Sequence, residues 1–252
     1  MQDMVLVGKL NAEAELDRLA GFYQSAGGPG VKLLNSVGGS AESLLEQLPP
    51  SVREVLTGAT EKALWIAMNA AEGSRRAVPD QLPWVNTALT TAMGAAGGIG
   101  GVPTALMELP ATTTMLLRSI QGAAAREGFD PSEDGVKFDC VRVLSAAGPM
   151  SFDDGADLGF FSARLTLTGP ALQKLISAVA PKLAVVLGQK LAAQSVPVLG
   201  AIAGGGTNYV YTRYYQQIAR VHFGLRRLSV DADIPHEVLI RKLEARMQGI
   251  EK

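Results

Sequence analysis

The chain has 252 residues, enough to bury a sizeable core in one large domain or two small ones. Apolar residues make up 47% and charged residues 19%, with a mean hydropathy of +0.17, so the composition lies between an ordinary soluble domain and a polytopic membrane protein. A formal charge of −1 argues against general polyanion binding and removes nucleic acid from the expected partners, and the single cysteine, Cys140, excludes an intramolecular disulfide and a cysteine-rich zinc site.

In chain order, Met1 to Leu10 carries Asp3 ahead of a short apolar patch, "MVLV", which reads as a weak strand. It lacks the basic and long apolar regions of a signal peptide, so the expected location is cytoplasmic, with peripheral attachment at the inner membrane face as an extension. The glycine-rich stretch Gly27 to Gly39 reads as flexible and is expected to divide an N-terminal arm, 1–39, from a helical body, 40–252. Ser51 with Glu54 three residues later forms a capping box before "VREVLTGATEKALWIAMNAAEG", and Gly73 marks a stop.

Pro83 and Trp84 begin a helix to about Ala96, "GGIGG" turns the chain, and Pro103 starts a longer helix to Glu127. The second helix of this hairpin carries a small, polar stripe of Thr104, Glu108, Thr112, Met115, Ser119, Gly122 and Arg126. Gly94 with Gly98, and Gly97 with Gly101, have spacing that lets backbones approach closely, as in a soluble helical core or in a membrane. A strict span is not expected, because a tight turn, Glu108 and Pro110 interrupt the apolar run. Glu108 is expected to pair with an arginine, first of all Arg118.

Gly128 and Gly148 sit where helices should end, and Asp130, Pro131 and Glu133 open a helix containing Phe138 and Val141, with Asp130 as its N-cap. Cys140 within it reads as core. Leu191 to Thr212 is a second uncharged, glycine-rich stretch, with Pro197, Gly200 and Gly204. From Tyr209 to Leu228 a helix places Arg213, Arg220 and Arg227 at heptad spacing on one stripe, opposite Tyr211, Tyr214, Tyr215, Ile218, His222 and Leu225. Such a stripe is either a solvated face or a contact for anionic headgroups. His222 reads as a hydrogen-bonded core histidine; as a functional group it would have Glu108 and Asp130 as candidate partners. His236 opens a last helix, about Pro235 to Ile250, with no ligand at metal spacing.

The pattern as a whole is all-α, about eight to ten helices. "GGIGGVPTALMELPATTTMLLRSIQGAAAREGFDP" and "SVPVLGAIAGGGTNYVYTRYYQQIARVHFGLRRL" together resemble the EcsC protein family. The resemblance rests on the glycine-rich turn, Glu108 to Pro110, Arg118, "GFDP" at Gly128 to Pro131, and the group Pro197, Gly200, Asn208, His222 and Phe223. Glu108 stands where the family more often has aspartate. The resemblance implies a bacterial, mostly helical protein without an agreed biochemical activity.

Motif searching yields no HExxH, GxSxG, Walker loop or paired-cysteine pattern, so no metal site and no cofactor is expected. Three function classes remain. The first is a lipid-binding or peripheral membrane protein, with a phospholipid or fatty acyl ligand and Arg213, Arg220 and Arg227 at the membrane. The second is an accessory subunit with a membrane-protein partner, and the third a hydrolase with a dispersed site. Glu108, Arg118, Asp130, Asn208 and His222 form the candidate buried polar site.

Overall fold

The computed structural model describes residues 11–38, 45–46, 48–77, 91, 107–146, 148–149, 161, 171–194 and 200–250. Among these residues the ordered structure is helical, with no strand, as the sequence pattern requires. Eight helices have defined bounds: α1 (Ala12–Ala26), α2 (Pro29–Gly38), α3 (Pro50–Ala77), α4 (Leu109–Arg126), α5 (Asp134–Val143), α6 (Ala171–Gln194), α7 (Gly200–Asp231) and α8 (His236–Ile250). The "MVLV" patch, the "GGIGG" turn and most of the Pro83–Ala96 helix lie outside the described residues.

Helix α1 shows how local rules and packing combine. Asn11 accepts hydrogen bonds from the backbone N–H groups of Glu13 and Ala14, and Glu13 and Glu15 place negative charge in the first turn, where the helix dipole favours it. Leu16, Leu19, Ala20 and Tyr23 recur at helical spacing and are all buried. Full burial stabilises by about 1.5–3 kcal/mol per large apolar side chain. This stripe packs on α7 and α8, so residues 12–26 of the expected arm, 1–39, join the core. Gly224 makes the approach possible, because a Cβ there would collide with the Leu19 side chain.

Helix α7 is the central element, in contact with α1, α2, α4, α5, α6 and α8, while α3 lies across α4 and α6. Its residues 214–219 are buried on every side. The Tyr211 and Tyr215 hydroxyls donate to the Val186 and Leu144 carbonyls at 3.3 and 3.4 Å, and burial pushes both phenols far above their usual range. Helix α6 is the one helix among the described residues long and apolar enough to cross a membrane, at Leu172–Ala192. Of its most apolar window 72% is buried inside the protein, and buried Gln189 and Lys190 occupy its last turns, so it serves as a core helix here.

Several expected helix ends move. α3 starts at Pro50, one residue before Ser51, and continues through Gly73 to Ala77. A glycine inside a helix costs only about 1 kcal/mol relative to alanine, less than packing along α4 and α6 can supply. Gly128 does terminate α4: its φ is +88°, and the Gly128 and Phe129 N–H groups bond back to the Ala125 and Ala124 carbonyls. Gly148 has another role, since a Cβ there would come within 2.6 Å of Val186 Cγ1. Asp130 is not the N-cap of α5. Its carboxylate accepts from Ser132 N at 2.8 Å in a turn, and Glu133 occupies the cap position.

Candidate functional site

Among the described residues, a cluster of titratable groups lies at the seam of α5 and α7 near the start of α8. Helical spacing puts Asp139 and Arg142 on one side of α5 and His222 and Arg226 on one side of α7. Asp139 Oδ2 accepts from Arg226 Nη1 at 2.8 Å, and Asp139 Oδ1 lies 3.5 Å from His222 Nε2, at the outer edge of hydrogen-bond reach. Burial acts to raise the Asp139 carboxyl, but the imidazole turned toward it and the charges of Arg226 and Arg142 outweigh that and hold it below its ordinary value.

His222 is only 3% exposed. Phe161 stacks on its ring at a centroid distance of 6.3 Å, and Phe223 meets it edge-on at 5.1 Å. Burial lowers the imidazole below its usual range, and Asp139 opposes this only in part. His236, at the start of α8, is lowered by burial and next by the charge of His222, so both histidines share one electrostatic environment. Arg226 covers the outer side, its guanidinium 4.6 Å from the Phe129 ring centre. An imidazole beside a carboxylate has the parts of an acid–base pair, but here aromatic rings cover it. No group of three or more His, Cys, Asp or Glu side chains suited to a metal ion occurs among the described residues.

The other expected polar residues are distributed along the bundle. Glu108 stands at the N-cap of α4, makes no capping hydrogen bond with its side chain, and is partly buried. Burial raises its carboxyl, and the cation acting on it is Lys190 of α6, in place of the expected Arg118. Lys190 is 2% exposed, and burial lowers its ammonium to about 8 against the opposing charge of Glu108. Arg118 of α4 and Asn208 of α7 are both buried. Asp130 is exposed in its turn. His222 thus has Asp139 as its acid, where Glu108 and Asp130 were the expected candidates.

The three arginines of the heptad stripe meet different surroundings. Arg213 is exposed. The Arg220 guanidinium lies 4.0 Å from the ring centre of Phe22 in α1. Arg227 is bound to Glu127 at 3.0 Å and Glu15 at 2.9 Å, and Glu127, only 4% exposed, also binds Arg18 at 3.3 Å. Asp139, Glu127 and Lys190 carry these clusters and were not among the residues singled out from the sequence. The available signal was small: Arg226 follows His222 by one turn, but nothing local states which acid arrives from another helix.

The family model described as the EcsC protein family matches residues 74–154, which include Glu108, Arg118, Asp130 and Asp139. A curated relative, the "Uncharacterized protein YdbA" of Bacillus subtilis (strain 168), is 28% identical over 138 residues, 55% of this chain and 44% of the relative. The chain therefore spans less than half the length of that relative. No solved structure matches. Over residues 74–154 the chain is thus similar to the EcsC protein family, the resemblance its glycine-rich and "GFDP" segments carry.

Proposed function

We propose that the protein is a lipid-binding, peripherally membrane-associated member of this kind of helical protein, with a phospholipid or fatty acyl ligand. The observation that carries the reading is a solvent-facing stripe at the N-terminal half of α7, where Gly206, Tyr209 and Arg213 are exposed while Thr207, Asn208, Val210, Tyr211 and Thr212 between them are buried. Helix α2 lies beside it, with Gly30 pressed against Val210, and presents Leu33 at 64% exposure next to exposed Lys32. An aromatic ring and a leucine among cations suit the headgroup level of a bilayer: the apolar groups enter the acyl boundary while the cations stay with phosphate. Each cation near an anionic surface contributes about 1 kcal/mol. Burial of Tyr209 and Leu33 adds about 25 cal/mol per Å² of apolar surface removed from water. The association is weak and reversible on that scale.

Vesicle sedimentation tests the reading. The protein should sediment with vesicles of phosphatidylglycerol and phosphatidylcholine but not with phosphatidylcholine alone, and high salt should weaken it. The variant combining Lys32→Gln and Arg213→Gln should lose the salt-sensitive part, and Leu33→Asp should lower the remainder. Equal binding to both vesicle types would overturn the electrostatic contact. No binding to either would favour the accessory-subunit reading.

A further inference from the structure

Arg213, Arg220 and Arg227 share one stripe of α7, and Arg18 meets that stripe from α1. Acids neutralise it at one end. Glu15 and Glu127 bind both Arg18 and Arg227, and Asp231 lies 3.9 Å from Arg227. Among the described residues no ion pair joins Arg213 or Arg220 to an acid. Glu127 acts on Arg220 only through space, since its carboxylate is already bonded to Arg18 and Arg227. What fixes the Arg220 guanidinium is Phe22 of α1: it lies 4.0 Å from the ring centre, and Arg18 lies 4.9 Å from the same centre. The Arg220 Nε is buried and has no hydrogen-bond partner among the described residues, while the side chain as a whole is half-buried and reaches solvent. Arg220 is therefore positioned without being neutralised. Arg213, two turns earlier, is exposed.

We propose that Arg220 and Arg213 bind a phosphate monoester, Arg220 as the donor fixed on Phe22 and Arg213 as the solvent-facing donor that completes the site. Residues seven apart on a helix stand about 10 Å apart along its axis and about 20° apart around it, a gap that two arginine side chains can close on one small anion. Each guanidinium fork donates two parallel hydrogen bonds, and a terminal phosphate offers three acceptor oxygens with close to two negative charges, so one such group answers two forks. A phosphodiester brings one charge and two free oxygens and satisfies the pair less well. The acids at the Arg227 end do not compete for these donors, because Arg18 and Arg227 occupy them. With a lipid headgroup as its source the phosphate site rests on the membrane reading above; free phosphate would satisfy the same donors.

Two measurements separate those sources. Inorganic phosphate titrated into the whole protein at low ionic strength should shift the Arg220 Nε–H signal in nitrogen-15 NMR, and sodium chloride of equal ionic strength should not. Phosphatidylcholine vesicles carrying phosphatidic acid should bind the protein about fivefold more tightly than vesicles of equal surface charge carrying phosphatidylglycerol. Arg220→Lys keeps the charge but loses the fork, so it should abolish that preference while leaving binding to phosphatidylglycerol vesicles in place. No response to phosphate together with no preference for phosphatidic acid would overturn the site, and the membrane reading would stand on phosphatidylglycerol binding. A phosphate response without binding to any vesicle would support the site, with free phosphate as its ligand, and overturn the membrane reading. A preference that survives in both Arg220→Lys and Arg213→Gln would overturn the site. Should Arg220→Lys fail to fold, the phosphate titration of the unaltered protein and the Arg213→Gln variant still decide.

Discussion

Arg226 and Arg227 are adjacent in α7 yet serve different sets of acids. Successive residues on a helix point about 100° apart, so Arg226 reaches Asp139 of α5 while Arg227 reaches Glu127 at the end of α4 and Glu15 of α1. The second cluster consists of carboxylates and guanidiniums alone: Arg18, Arg227, Glu15 and Glu127. It contains no imidazole and serves as a fixed fastening. The first cluster has the same acid–arginine core but adds His222, with His236 nearby, and a histidine environment is the one that responds between about pH 5 and 8. Two ion clusters of similar make-up thus differ in kind through one residue type.

The largest expected effect comes from breaking the fixed cluster. Glu127→Ala removes the more deeply buried of the two acids that Arg18 and Arg227 share and leaves Glu15 alone between them, both arginines being about a third exposed. Removing one partner of a fully buried pair costs about 3–5 kcal/mol, and solvent at the arginines reduces this to about 2–3 kcal/mol. Denaturant unfolding at neutral pH should show it as a lower midpoint with an unchanged slope. An effect below about 0.5 kcal/mol, the range of ordinary surface substitutions, would mean that Glu127 is not a hub.

Asp139→Asn should cost less, about 1–2 kcal/mol, because Arg226 can turn to solvent and the amide keeps a hydrogen-bonding oxygen. Its sharper consequence is electrostatic. Asp139 opposes the burial-driven lowering of His222, so its loss should move the His222 midpoint still lower by NMR. Glu127→Ala should leave that midpoint in place. Identical shifts in the two variants would erase the distinction between the clusters.

The smallest effect on stability is expected from Arg213→Gln. Arg213 is exposed, so the unfolding midpoint should move by no more than about 0.5 kcal/mol while anionic-vesicle binding declines. A large loss of stability would place Arg213 with the fastening arginines Arg220 and Arg227.

Helix type was legible because it is a local property. The apolar spacing of α1 and the left-handed turn at Gly128 follow from side-chain periodicity and the absence of a Cβ, and both survive into the fold. Helix boundaries were less legible. Gly73 and Gly204 to Gly206 are poor helix residues by themselves, but α3 and α7 run through them because neighbouring helices bury their faces. The candidate site was legible in one residue, His222, read as a buried histidine and found 3% exposed. Its acid was not, since Asp139 lies 83 residues away in the chain, at a distance over which periodicity carries no information.

By itself, then, the sequence determined an all-α chain with an aromatic-rich buried face on α7 and the EcsC-like segments, because these depend on residue type and spacing along one strand of polymer. The tertiary structure alone decided which charges meet. Asp139 went to His222, Glu127 to Arg18 and Arg227, and Lys190 to the neighbourhood of Glu108. Electrostatic partners act through space over a few ångströms, and only the packing of α1, α4, α5, α6 and α8 around α7 brings those distances about.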